Sequence, residues 1–287
     1  MKIQHIWSAP VKTVPPHFWF LVSAVFHYLG PSFAVLLFAR VDVLGVAWLR
    51  IASAALVFSL FSKPWRVFRA ANRETTVLLF LLGACLALMN SAFYLAIARL
   101  PLSLVATMEF VGTIAVALWG LRSLRNYVAL GLAIAGVFLL IDVRGSSDWL
   151  GLAFASVNAL LFVTYIVLGH RISRQGAGEG VGRLSAAMVA AFVFVMPIGA
   201  SDAIAAFAHP LLILSGVGVG ISSSVVPYIC DQLAMSQLPR NTYALMLTLL
   251  PATATLVGAA VLGQVPTFGE VVGIGLVMVG VSIHKRC

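Results

Sequence analysis

Long runs of apolar residues, interrupted by short clusters of charge, constrain this chain more than any motif it carries. Ten such stretches can be marked, at roughly 17–39, 43–61, 76–98, 101–120, 127–142, 149–169, 184–200, 210–236, 240–263 and 267–284. Each is near the about 20 residues that a helix needs to cross some 30 Å of hydrocarbon. The fifth and seventh are short. Merging either with a neighbour would place Arg122 and Arg125, or Asp202, in lipid, at about 2.5–3.5 kcal/mol each at mid-bilayer. With 61% hydrophobic and 9% charged residues and a mean hydropathy of +1.05, the chain lies far outside the soluble range. The expectation is an all-α integral membrane protein with ten transmembrane helices.

An internal repeat organises these stretches. Leu95, Ala96, Leu100, Pro101, Ala106 and Met108 recur 138 positions later as Leu233, Ala234, Leu238, Pro239, Ala244 and Met246, a register that sets Asn90 against Tyr228 and Tyr94 against Gln232. Gly131-Leu-Ala-Ile-Ala-Gly-Val137 returns as Gly275-Leu-Val-Met-Val-Gly-Val281. Orientation follows from the basic residues. With the N-terminus inside, fourteen of the eighteen Lys and Arg fall in cytoplasmic segments, among them Lys63, Arg66, Arg69, Arg171, Arg174, Lys285 and Arg286. Both termini are then cytoplasmic, and five helices per half makes the halves inverted: a tail over 1–16, a first repeat over 17–142 and a second over 149–284. Inverted repeats around a site near the bilayer midplane are the architecture of secondary transporters.

The ordered set of residues resembles a known family. The 5+5 layout, Asn90 followed by Phe93-Tyr94-Leu95, then Arg99-Leu-Pro-Leu102, Glu109-Phe110, Pro227-Tyr228 and Leu238-Pro-Arg240 with Pro251 look like the drug/metabolite transporter superfamily. Within it they resemble EamA-type permeases of the threonine/homoserine exporter subgroup and the aromatic amino-acid exporters. The resemblance runs from about residue 20 to 283, and one departure is Thr113, where the subgroup often carries proline. It implies amino-acid export across a bacterial inner membrane, with drug or other metabolite transport, or lipid handling, as the alternatives.

Polar residues inside the apolar stretches are the candidates for the site, because ionisable groups at depth are expensive. Counted from the outer ends of their helices, Arg50 lies about 10 Å deep, and Asn90 and Glu109 about 12 Å deep. They share a level. Arg50 and Glu109 can form a buried structural ion pair, or Glu109 can receive a substrate ammonium or a proton. Asn90 and Tyr94 at i and i+4 occupy one face, and Tyr228 and Gln232 do the same in the second half. His27, before Gly30-Pro31, and Asn158 are read either as substrate-binding groups or as packed polar residues satisfied by neighbouring helices. Asp231 is expected to face water or a basic loop near the inner end. Gly216, Gly218, Gly220 and Ser222-Ser-Ser224 make a small-residue wall suited to close packing or to gating. Pro31, Pro101, Pro227, Pro239 and Pro251 are the candidate hinges.

No enzyme motif, nucleotide loop or cysteine–histidine cluster is present in the sequence, so neither catalysis, a cofactor nor a bound metal is expected. Cys85, Cys230 and Cys287 form no disulfide framework. The net charge of +9 is assigned to topology and anionic lipid rather than nucleic acid. The expected partners are the bilayer and a small amino acid; no feature of the sequence fixes an oligomeric state, the direction of transport or its coupling.

Overall fold

Helix ends in this chain are marked by local chemistry that the apolar runs alone do not reveal. The computed structural model describes residues 14–118, 124, 127–128, 131–132, 134–136, 139, 148–173, 177–238, 243 and 246–283. Helix α1 (Pro16–Leu37) opens on a proline, whose missing N–H is unneeded in a first turn. Helix α2 (Val43–Ser62) ends at Lys63, which adopts the left-handed conformation, and Pro64 starts the short α3 (Pro64–Ala70). At α4 (Arg73–Ile97) the Asn72 side chain accepts the Thr75 N–H at 2.8 Å, and after the Leu100-Pro101 turn comes α5 (Leu102–Leu118), which runs through Thr113.

Helix α6 (Trp149–Ser173) is capped by Asp148, which accepts the Gly151 N–H at 2.9 Å and an Arg99 N–H at 3.2 Å. These two contacts, the Gly151 amide first, hold the Asp148 carboxyl below its ordinary range. The tie between the α4–α5 turn and α6 is therefore present at neutral pH and lost as pH falls through that lowered value.

Helix α7 (Ala177–Gly199) begins seven residues before the expected start at 184 and takes in Glu179 and Arg183. The eighth stretch is not one uniform helix. Helix α8 (Pro210–Gly220) passes through a π-helical turn, Ile221–Val225, into α9 (Val226–Gln237). A 3-10 turn at Leu247–Leu249 leads into α10 (Leu250–Leu262), ended by Gly263 at φ 65°, and α11 (Phe268–Ile283) starts on a reciprocal Thr267–Glu270 capping box.

Six of the described helical spans are long and apolar enough to cross a membrane: 16–37, 43–62, 73–97, 149–173, 179–199 and 210–237. Helices α5, α10 and α11 are shorter, at 17, 13 and 16 residues. The expected fifth span, 127–142, the tail before residue 14, and Pro239 lie largely or wholly outside the described residues. Of the other candidate hinges, Pro31 sits inside α1, Pro101 just before α5, Pro227 one residue past the π-turn, and Pro251 in the first turn of α10.

The packing partners form a regular set. Helix α4 lies against α6 and α7, α5 against α6, α9 against α1, the α8–π segment against α2, α10 against α1, α2 against α7, and α5 against α10. Lipid offers no hydrophobic gain for helix association, so such contacts rely on close backbone approach and interhelical hydrogen bonds. Gly220 and Gly30 provide the closest of these near the centre. A Cβ on Gly220 would lie 2.7 Å from the Arg50 carbonyl, and one on Gly30 would lie 2.6 Å from the Ser223 Cα. Gly218, two residues from Gly220, is exposed and meets no neighbour. Gly220→Val should therefore lower the thermal stability of the detergent-solubilised protein by about 1–3 kcal/mol or prevent folding, whereas Gly218→Val should leave the melting temperature near that of the unmodified chain.

Candidate functional site

The centre of the bundle holds a small cavity lined by His27, Arg50, Met89, Asn90, Phe93, Glu109, Asn158 and Tyr228. These side chains come from α1, α2, α4, α5, α6 and α9. All are buried, from 0% exposure at Asn158 and Tyr228 to 7% at His27. Arg50, Asn90 and Glu109, expected at one depth, do share this cavity, with His27, Asn158 and Tyr228. Tyr94 and Gln232 are not among its lining residues.

Arg50 is held by the second half of the chain. Its Nη2 donates to the Ser223 carbonyl at 2.6 Å, its Nε donates to Ser224 Oγ at 2.8 Å, and its guanidinium carbon lies 5.2 Å from the centre of the Tyr94 ring. The carbonyl belongs to the π-helical turn, and the residue four positions on, Pro227, has no N–H to give it, so the ordinary α-helical donor is missing. Two of the five guanidinium N–H groups are thereby used.

Glu109 has different partners. Its Oε1 accepts the Asn158 Nδ2 at 2.7 Å, and its Oε2 accepts the Tyr28 hydroxyl at 3.2 Å. The direct Arg50–Glu109 ion pair expected from the sequence is thus not formed. The serines at 223 and 224 offer the guanidinium closer acceptors, and the carboxylate is satisfied across the cavity. Asn158 keeps one polar atom, Oδ1, buried and without a hydrogen-bond partner beside that carboxylate. An orphaned acceptor in a buried place is costly unless something fills it.

Asn90 and Tyr228, counterparts in the 138-residue register, meet each other: the Tyr228 hydroxyl lies 3.3 Å from both polar atoms of the Asn90 amide. Asn90 also donates to its own helix at the Leu86 carbonyl, 2.6 Å away. The other register pair falls outside the cavity. Tyr94 supports Arg50, whereas both polar atoms of the Gln232 side chain are buried without partners and lie close to Gly169 and Gly180. His27 packs edge-on against Phe162, ring centres 5.8 Å apart.

Two groups went unrecognised in the sequence. Tyr28, next to His27, is a ligand of Glu109; polar residues at 23, 27 and 28 along α1 were the available signal. Asp231, expected to face water, is 4% exposed and accepts three hydroxyls, from Ser23 at 2.5 Å, Tyr165 at 3.0 Å and Tyr243 at 2.9 Å. Its neighbourhood is made by residues distant in sequence, so its own position near a helix end was a poor guide. Among the described residues no group of three or more His, Cys, Asp or Glu is placed to hold a metal ion.

Apolar helices long enough to cross a membrane, packed around a cavity lined by charged and polar side chains, define a multi-pass membrane protein. Comparison with known proteins narrows the class. The threonine/homoserine exporter RhtA of Escherichia coli K12 is 34% identical over 253 residues, covering 87% of this chain and 84% of that one. RhtA of Salmonella typhimurium LT2 is 33% identical over 241 residues, covering 83% of this chain and 80% of that one. The chain belongs to this family of EamA-type exporters. No family model matches it. A solved crystal structure with 15% sequence identity shares the fold, at a TM-score of 0.60 over 94% of this chain and 97% of that one.

The separate partners of Arg50 and Glu109 make a stability test. Arg50→Met removes two charge-assisted hydrogen bonds, worth about 1.5–3 kcal/mol each, and Glu109→Gln disturbs a different set. Both groups border one cavity, so the double variant should fall short of the summed losses by about 1 kcal/mol, the attraction across the cavity, while staying less stable than either single variant when thermal unfolding is followed in detergent. Recovery of stability in the double variant would instead mean that the two side chains form a direct pair.

Proposed function

We propose that this protein exports a small amino acid, threonine or homoserine, across the bacterial inner membrane by alternating access between two inverted halves. The observation that carries the reading is a division of charge across one cavity. Arg50 and Glu109 face the same space without pairing, which suits a zwitterion bearing a carboxylate at one end and an ammonium at the other. The unused N–H groups of Arg50 receive the substrate carboxylate. Glu109 and the unpartnered Oδ1 of Asn158 receive the ammonium, which has three donors to place. Asn90 and Tyr228 sit beside them as hydrogen-bonding partners for a side-chain hydroxyl, with His27 completing the polar wall. Met89 and Phe93 provide apolar contact, and the small volume favours a short side chain over an aromatic one.

Ten helices in a 5+5 arrangement, with repeats over 17–142 and 149–284, are part of this reading. Its support is the symmetry of the packing: exchanging halves turns α4 on α6 into α9 on α1, α5 on α6 into α10 on α1, and α4 on α7 into the α8–π segment on α2. Residues related by such an exchange touch only beside its axis, which is where Asn90 and Tyr228 meet. Alternating access then follows as rocking of one half against the other about the cavity. The π-turn, Pro31, Pro227 and Pro251 act as the flexible points near it, and Pro101 and Pro239 act at the two related turns. Tyr94 and Gln232 are placed as supports for the gates rather than as substrate ligands.

Counterflow in proteoliposomes tests the substrate. The purified protein should exchange labelled threonine and homoserine faster than empty liposomes, and Glu109→Gln should reduce exchange by about tenfold or more, the effect of losing one charge-assisted contact. Failure of all amino acids alongside movement of a cationic drug would overturn the reading. The topology has its own test. With both termini inside, a cysteine replacing Arg69 or Gly176 should resist impermeant thiol reagents added to intact cells, and one replacing Ser147 should react.

A further inference from the structure

A second buried carboxylate lies outside the cavity, and the substrate reading does not use it. Asp231 on α9 receives Ser23 Oγ of α1 and the Tyr243 hydroxyl on one oxygen, Oδ1, and the Tyr165 hydroxyl of α6 on the other, Oδ2. Among the described residues the side chains that donate to it are hydroxyls, and the ion pair between Arg99 and Asp148 lies elsewhere. The Ser23–Asp231 separation of 2.5 Å lies at the short end of the range for a hydroxyl bound to a carboxylate.

Ser23 has one hydrogen and two acceptors within reach. Asp231 Oδ1 is 2.5 Å away and the Pro227 carbonyl 3.2 Å away on the same helix. This allows two complete hydrogen-bond arrangements. With Asp231 ionised, Ser23 donates to it. With Asp231 protonated on Oδ1, the new hydrogen is donated to Ser23 Oγ, and the Ser23 hydrogen turns to the Pro227 carbonyl. No donor is orphaned in either state, and the proton is taken up or released without moving a helix. A metal ion would need the hydroxyl lone pairs, whereas all three hydroxyl hydrogens here are directed at the carboxylate.

The site also has a mechanical position. Ser23 and Asp231 join α1 to α9, one from each half of the chain, at Pro227 just after the π-turn. The Tyr165 ring lies 5.4 Å from that of Tyr228, which reaches Asn90 in the cavity. The other titratable groups on the surrounding elements are His17, His27 and Tyr28 on α1, and His170 and Arg171 on α6. Glu179 and Arg183 lie at the start of α7, and Tyr228 and Cys230 share α9 with Asp231. His170 packs edge-on against Tyr243 at 5.6 Å, and Tyr165 and Tyr243 bond the carboxylate.

We propose that Asp231, with Ser23, Tyr165 and Tyr243, is a proton-binding site that couples amino-acid export to proton entry. This rests on the transport reading above and adds its driving ion. Asp231 takes a proton from the outer aqueous phase in one orientation of the halves and releases it to the inner phase in the other, so that the Ser23 contact switches partner once per cycle.

Two measurements on the full-length protein in liposomes test it. Infrared difference spectra across a pH titration should show a carboxylic-acid band that Asp231→Asn lacks. Ser23→Ala should shift the midpoint of that band, which keeps the test decisive should Asp231→Asn fail to fold. A pH-independent band, or one retained in Asp231→Asn, overturns the proposal. In flux experiments the wild type should accumulate threonine about tenfold per unit of pH gradient for one proton exchanged per substrate. Asp231→Asn should lose accumulation entirely while keeping counterflow within about twofold of wild type. Accumulation persisting in Asp231→Asn, or following a sodium gradient instead, overturns the proposal. Absence of any amino-acid exchange by the wild type would refute the transport reading, while the infrared titration would still judge Asp231 as a proton site.

Discussion

A guanidinium buried in a membrane-spanning bundle must be satisfied wherever the helices place it, and Arg50 meets that demand through the backbone of a distorted helix. The Ser223 carbonyl, 2.6 Å from Nη2, is part of the π-turn Ile221–Val225, and Ser224 adds a hydroxyl at 2.8 Å. The turn thus serves the charge, and the charge in turn stabilises the turn. Removing one member of such an arrangement leaves the other uncompensated in a low-dielectric interior, which is where large losses of stability arise. Close packing at Gly30 and Gly220 brings α1 and α2 near enough to this turn for the contact to exist. Because Ser223 and Ser224 hold two of the five Arg50 N–H groups and Glu109 has other partners, the cavity between them stays polar without collapsing into a salt bridge.

The architecture was largely legible in the sequence because hydropathy acts over whole helices. The stretches at 17–39, 43–61, 76–98 and 210–236 fall within a few residues of the helical spans, and charge clusters mark where they end. The level shared by Arg50, Asn90 and Glu109 was readable because helical rise converts residue number into depth. Which side chain pairs with which was not readable. Arg50 and Glu109 are opposite charges at one depth, and depth says nothing about rotation about a helix axis. The Ser222-Ser-Ser224 run looked like a packing surface because a π-turn carries no strong sequence signature and its free carbonyl belongs to the backbone. Asp231 was misplaced for a related reason: its partners at 23, 165 and 243 come from three separate segments, and nothing local to position 231 announces them.

The buried carboxylates Glu109 and Asp231 differ in surroundings, and the difference suits different work. Glu109 faces the central cavity beside an unpartnered Asn158 oxygen and shares that space with a guanidinium. Asp231 accepts three hydroxyls and is not among the residues lining that cavity, yet it bridges α1 and α9 next to the distorted helix that holds Arg50. In the account developed here, one carboxylate recognises the cargo and the other reports protonation to the interface between the halves. The chain of Tyr165, Tyr228 and Asn90 gives these sites a packed connection, through which a change at either can bias the same two-state rearrangement.

The central claim is that the cavity between Arg50 and Glu109 is the amino-acid site, and a structure determined with threonine bound tests it most directly. The account predicts threonine in this cavity, its ammonium within hydrogen-bond distance of Glu109 and Asn158 Oδ1 and its carboxylate on the guanidinium of Arg50. Threonine bound elsewhere, with Glu109 still holding only Asn158 and Tyr28, would contradict it.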